Sequence, residues 1–375
     1  MKIKKLRRVP ALILSAALAA GLITMPRIAS AAVSDGITLS LHIVIPSLFP
    51  FFVLSSLIIS SGIADGIGRA AAPVMTPLFG VGGAFASALV LGLLGGYPLG
   101  AKTVSETYSS GGGDRQDAER ALAFCSNTGP AFILGAVGSG VFDSIGAGAL
   151  LYMIHALSAV ITGLIMCSPR RTTSHAPLKE RTLKPFAEIF IESVRSSFAS
   201  ILNVCAFVIF FSVVTQLLSA CGIVGSAARF LEHIGVGGSV SLPLVSGFIE
   251  LTGGIASLPS SVQALPAASF LLAWGGLCVH TQALSFISAA ELSPRRYFIG
   301  KALQSVLAAA LTFTATATGV EKGAAVEFMF AGKGTDHDYE AMFLLDDPVD
   351  VFCAKLEKAG VPRGRPTDEK SGRLW

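Results

Sequence analysis

The chain has 375 residues, 52% of them hydrophobic and only 14% charged, with a mean hydropathy of +0.67. A soluble domain carries about 25% charged residues, so this composition excludes water as the main solvent. The net charge of +4 arises from basic clusters beside apolar runs, which reads as membrane orientation and excludes a nucleic-acid footprint. Six scattered cysteines, with no C-x-x-C pair and no histidine at ligand spacing, give neither a disulfide framework nor a metal site, and no cofactor is expected.

Residues 1–33 open with Lys2, Lys4, Lys5, Arg7 and Arg8, followed by the apolar run "ALILSAALAAGLI" and the cleavage-like Ala29-Ser30-Ala31. A secretory signal and an uncleaved first span both fit. The anchor is preferred because Pro26 and Arg27 interrupt the run and further spans follow at once. Either way the basic residues stay in the cytoplasm.

Apolar stretches near the ~20 residues a helix needs to cross hydrocarbon follow at 37–61, 81–101, 145–167, 189–218, 239–258 and 298–319. Between them, residues 114–142 and 263–290 are paired apolar arms around polar centres, "CSNTGP" and "VHTQA". The basic linker 168–186 and the cluster Arg295, Arg296 and Lys301 belong in the cytoplasm by the positive-inside rule. Both fall there if 114–142 and 263–290 enter and leave on one side, so these segments are expected to be re-entrant helical hairpins.

This threading aligns two halves, 34–167 and 187–319. Gly62, Ile63 and Arg69 recur as Gly222, Ile223 and Arg229 at an offset of 160, "GVGG" at 80 recurs at 235, Gly92 recurs as Gly247, and Thr128 pairs with Thr281. Three crossings separate the starts of the halves, so the second is upside down. The expected fold is therefore an all-α polytopic membrane protein of two inverted repeats with re-entrant hairpins, the architecture of secondary transporters. Residues 320–375 differ in character: two strand-like runs and a helix starting at Asp347-Pro348 predict a small ββα tail outside the cytoplasm.

Four stretches, "IVIPSLFPFFVLSSLI" (43–58), "GLLGGYPLGAKTVSE" (92–106), "AERALAFCSNTGPAFILGAV" (118–137) and "GFIELTGGI" (247–255), resemble the sporulation integral membrane protein YlbJ family, which carries the nucleoside-recognition, or Gate, domain. The resemblance implies a multi-pass cell-membrane protein needed for spore formation, with a role in the spore cortex. It establishes no nucleoside substrate.

Within this frame Glu250, in the middle of an apolar run, is the leading site candidate. A charge at mid-bilayer costs about 2.5–3.5 kcal/mol on insertion scales, so one that is retained there is functional by default, and a buried carboxyl suits a proton carrier. Thr252 follows it. The two polar centres offer Ser126, Asn127 and Thr128, and His280, Thr281 and Gln282. The first-half counterpart of the Glu250 region is "GGYPLGAK", where Gly95, Gly96 and Pro98 break the helix beside Tyr97, and Lys102 follows the break. The other readings are a Glu250 that merely bonds a neighbouring helix, a packed His280, and a Lys102 that snorkels to the headgroups.

Enzyme chemistry is not expected. "GGGD" (111–114) lacks the second intramembrane aspartate of an aspartyl protease, and there is no H-E-x-x-H, G-x-S-x-G or Walker lysine. Two functions remain: a carrier of a small polar solute within the lipid bilayer, with Glu250 as coupling group, and a non-transporting scaffold that binds an envelope or sporulation partner through residues 320–375.

Overall fold

A computed structural model describes residues 9–166 and 185–318, and every regular element among them is helical. The basic linker up to residue 184 and the expected ββα tail lie outside the described residues. Of the described helices, Ile145–Met166, Phe186–Ala220, Val262–Ala289 and Arg295–Ala317 are each long and apolar enough to cross a membrane.

Two long, packed helices start the two halves. After α1 (Val9–Thr24) the chain turns by 103° at Met25, so the expected boundary at residue 33 falls inside the next helix. That helix is built of α2 (Pro26–Leu39), a π-helical turn (Ser40–Val44) and α3 (Ile45–Ser60), of 14, 5 and 16 residues, matching the 35 of α9 (Phe186–Ala220). Pro46 has no N–H to give to the carbonyl four residues back. The backbone widens there instead, and Ile45 N–H reaches the Ser40 carbonyl. The pair runs antiparallel: Gly36 meets Ile209, the Phe49 and Phe198 rings lie 6.3 Å apart, and Ser56 and Ser196 hydroxyls meet at 3.3 Å.

Each long helix ends on a glycine in the left-handed region, Gly62 at φ 77° and Gly222 at φ 74°, where a side chain is strained. Each is followed by an amphipathic helix, α4 (Ile63–Phe79) or α10 (Ile223–His233). The offset of 160 seen in the sequence therefore marks equivalent helix ends.

Next in each half comes a helical hairpin. α5 (Ala86–Gly95) and α6 (Leu99–Ser109) join at Gly96-Tyr97-Pro98; α11 (Gly238–Ile249) and α12 (Leu251–Ala256) join at Glu250. Eight residues of continuous helix span about 12 Å. Yet a Cβ on Gly92 would lie 3.1 Å from the Gly100 Cα, and one on Gly254 would overlap the Gly247 backbone. Both chains double back, and glycine at those four positions lets the arms touch.

The hairpins therefore lie one segment upstream of the expected places. Residues 262–289 form one 28-residue span through α13 (Leu265–Trp274) and α14 (Gly276–Ala289), with their junction at Gly275 and Gly276. The earlier segment, α7 (Arg115–Ala121), an unwound stretch at 122–130 and a π-helical stretch (Ala131–Ser139), runs antiparallel to α8 (Ile145–Met166) along its whole length. Phe124 meets Gly163, Thr128 N–H donates to His155 Nε2 at 3.0 Å, and Gly138 packs on Gly148. Unwound backbone at that depth is tolerated because neighbouring side chains satisfy it.

The last helix, α15 (Arg295–Ala317), packs along α13 and α8. Arg115 donates to the Glu291 carbonyl at 2.8 Å and Ser293 N–H to Glu119 at 3.0 Å, so the loops before α7 and before α15 share one end of the molecule. In a cysteine-free background, Gln116→Cys and Arg295→Cys are expected to react with an impermeant maleimide from one face of the membrane and Ser260→Cys from the other. Labelling of Gln116→Cys and Ser260→Cys from the same face would contradict this arrangement.

Candidate functional site

Four interruptions in helical structure meet at the centre of the described bundle. At the first hairpin tip, Gly96 sits at φ 81°, and a Cβ there would fall 2.8 Å from the Gly129 nitrogen, so the tip rests on the unwound stretch. Tyr97 Oη donates to the Ala273 carbonyl at 2.9 Å and the Leu272 carbonyl at 3.2 Å, while Thr128 Oγ1 donates to Leu272 at 2.8 Å. The first tip and first break thereby hold the end of α13, where the second break starts. Gly276 in turn lies against the Gly247 and Ile249 carbonyls of the second hairpin.

Tyr97→Phe removes one donor from buried carbonyls, and a buried hydrogen bond contributes about 0.5–1.5 kcal/mol. The expected result is a lower melting temperature in detergent with the bundle still folded, because Thr128 keeps its bond to Leu272. An unchanged melting temperature would show that the hydroxyl contributes nothing.

Glu250 shapes the second tip. It is 7% exposed, with φ −132° and ψ 115°, and its carboxylate caps α12: Oε1 accepts from Thr252 N–H at 2.9 Å and Oε2 from Gly253 N–H at 2.7 Å. The first N–H groups of a helix lack intrahelical partners, and an acidic side chain there completes them and is favoured by the helix dipole. The carboxylate is thus part of what holds the tip together, a role that a lone carboxyl in an apolar run did not suggest.

A cavity of about 110 Å³ opens among these tips. Its walls include Gly95, Gly96, Tyr97, Thr128, Glu250, Thr252 and Gln282 of the expected residues, together with Val44 of the π-turn and Val204 and Val208 of α9. Cys278, which receives a hydrogen bond from Gln282 at 3.2 Å, is also in the wall.

The other expected residues lie elsewhere. Lys102 is fully buried on α6 beside Glu106, 2.7 Å away, and 5.7 Å from the Phe52 ring centre, so it does not snorkel. His280 and Thr281 sit inside the helical run of α14, five and six residues past Gly275, and do not form a tip. The His280 Nδ1 meets Tyr297 Oη at 3.0 Å, the ring stands edge-on to Trp274, and Thr281 bonds back to the Cys278 carbonyl. Ser126 and Asn127 face α15, where they join a buried polar network.

That network was missed from the sequence. Lys301 Nζ donates to the Ser126 carbonyl at 2.8 Å and to Gln304 Oε1 at 2.6 Å; Gln304 Nε2 donates to Asn127 Oδ1 at 2.9 Å; Asn127 Nδ2 donates to the Phe124 carbonyl at 2.9 Å. Lys301, Gln304 and Asn127 are all fully buried, and His155 is 1% exposed. The available signal was the i, i+3 spacing of Lys301 and Gln304, which places two polar groups on one face almost two turns beyond the basic Arg295-Arg296 pair.

No group of three or more metal-ligating side chains occurs among the described residues. Fold and site together define a polytopic helical membrane protein with paired helical hairpins and broken spans around a small central cavity. Residues 41–168 match the Gate family, described as nucleoside recognition. Over 320 residues, 78% of this chain and 78% of the relative, the chain is 30% identical to the sporulation integral membrane protein YlbJ of Bacillus subtilis (strain 168), and it belongs to that family. No solved structure matches it.

Proposed function

We propose that this protein carries a small polar solute across the membrane, in the sporulation setting that its relative's name describes. The observation that carries the reading is the convergence of two hairpin tips and two broken spans on one cavity that holds Glu250, Thr128 and Gln282. Half-helix ends and freed backbone groups near the midplane are how secondary transporters build a site between repeats.

The order of elements supports the same reading. Long helix, glycine, amphipathic helix, hairpin, broken span and straight span occur twice, and three crossings per half invert the second copy. With the N-terminus in the cytoplasm, the linker 168–186 and Arg295 also fall there, and residues 320–375 lie outside. At about 110 Å³ the cavity is below the ~300 Å³ at which ordinary ligand pockets begin. A solute the size of a nucleoside therefore enters only when the tips part.

The test is uptake by proteoliposomes containing the purified chain, against a panel of labelled nucleosides and smaller polar solutes. Saturable uptake of one of them is the expected outcome. Failure of every solute both to enter and to bind would leave the scaffold reading, in which removal of residues 320–375 reproduces the null phenotype.

A further inference from the structure

Lys301 is fully buried on α15, six residues into a 23-residue membrane helix, and no carboxylate among the described residues is within ion-pair distance of it. Its Nζ instead has two oxygen partners, the Ser126 carbonyl at 2.8 Å and Gln304 Oε1 at 2.6 Å, and lies 4.8 Å from the centre of the Tyr97 ring. A backbone carbonyl at a helix break, an amide oxygen and an aromatic face are together the chemistry that holds a small monovalent cation.

The position matters as much as the donors. Ser126 belongs to the unwound stretch and Tyr97 to the first hairpin tip, while Tyr97 Oη and Thr128 Oγ1 both hold the Leu272 carbonyl. One side-chain amine on α15 thus touches the parts that must keep their places for the cavity to exist. Secondary carriers often use unwound carbonyls near the midplane for a coupling ion. Here a side chain of the protein stands at such a place.

We propose that Lys301 is a tethered cation filling a monovalent-cation site at the first helix break, so that the folded site needs no inorganic cation. This goes beyond the carrier reading and does not depend on it, since the prediction concerns the solute-free protein. Truncation to alanine would leave the carbonyl and amide oxygens of a site with its charge removed and space for an ion in its place.

The experiment is thermal unfolding of the full chain in detergent, in sodium, potassium, methylammonium or choline chloride at equal ionic strength. Wild type is expected to melt at the same temperature in all four. Lys301→Ala is expected to melt lower in choline and to recover, saturably, with one of the small cations. Lys301→Met fills the volume without charge and is expected to stay low in every salt.

Equal melting of Lys301→Ala in all four salts would overturn the proposal, and so would recovery of Lys301→Met, which would indicate a general salt effect. If Lys301→Ala is not obtained folded, the wild-type arm still decides: saturable stabilisation of wild type by sodium or potassium would show that the site is not filled by the lysine.

Discussion

Glu250→Gln is expected to insert and fold but to lose solute uptake by at least about tenfold, the rate equivalent of 1.4 kcal/mol. The reason lies in how the carboxylate is used. Its two oxygens accept from Thr252 and Gly253 N–H at 2.9 and 2.7 Å, so the tip of the second hairpin has two donors and two acceptors. Glutamine keeps one acceptor and turns an NH₂ toward the other donor. Loss of a cap costs about 0.5–2 kcal/mol, too little to unfold the bundle and enough to displace a tip beside the cavity. Glu250→Ala removes both acceptors and is expected to lower stability as well as uptake. The pair of readouts is recovery of monodisperse protein and initial uptake rate; wild-type uptake by Glu250→Gln would exclude the carboxylate as coupling group.

Gly100→Val is expected to be the most damaging single substitution at the first hairpin. A Cβ at Gly100 would overlap the Cys125 carbonyl and lie 2.8 Å from the Ser126 Cα. The obstacles are backbone atoms of the unwound stretch and not flexible side-chain ends. Overpacking typically costs 1–3 kcal/mol, and here the shift passes directly to the carbonyl that holds Lys301, so a loss of about 3 kcal/mol or more is expected. Gly66→Ala is the internal control. Nothing lies within 4 Å of a Cβ there, and replacing a helical glycine by alanine favours the helix by about 1 kcal/mol. A melting temperature lowered for Gly100→Val and unchanged or raised for Gly66→Ala checks both; equal effects would refute the close-approach argument.

Much of this arrangement was legible in the sequence, and the failures share a cause. Hydropathy marks how far a segment lies in lipid but not whether it returns. By hydropathy residues 81–101 read as a crossing and 114–142 as a hairpin; the structure exchanges the two. The exchange leaves the expected parity of three crossings per half unchanged. The glycines that let the arms touch, Gly92 with Gly100 and Gly247 with Gly254, are eight and seven residues apart, a spacing that a continuous helix holds about 10–12 Å apart along its axis.

Alignment of Thr128 with Thr281 misled for a related reason: the second break is at Gly275 and Gly276, where the signal is a pair of glycines and not a polar side chain. Glu250 and the "GGYP" break were found because a buried charge and a proline between glycines are both costly in lipid. Lys301 was read as part of a cytoplasmic basic cluster, since sequence adjacency to Arg295 and Arg296 hides the six residues of helix, about 9 Å, that carry it inward.

The paired 35-residue helices have a mechanical consequence. Each is about 52 Å long, against a hydrocarbon slab of about 30 Å, so each must lean or project beyond it. Both struts also wall the cavity, Val44 and Leu48 on one and Val204 and Val208 on the other, so a bilayer of different thickness is expected to reshape the chamber through their lean.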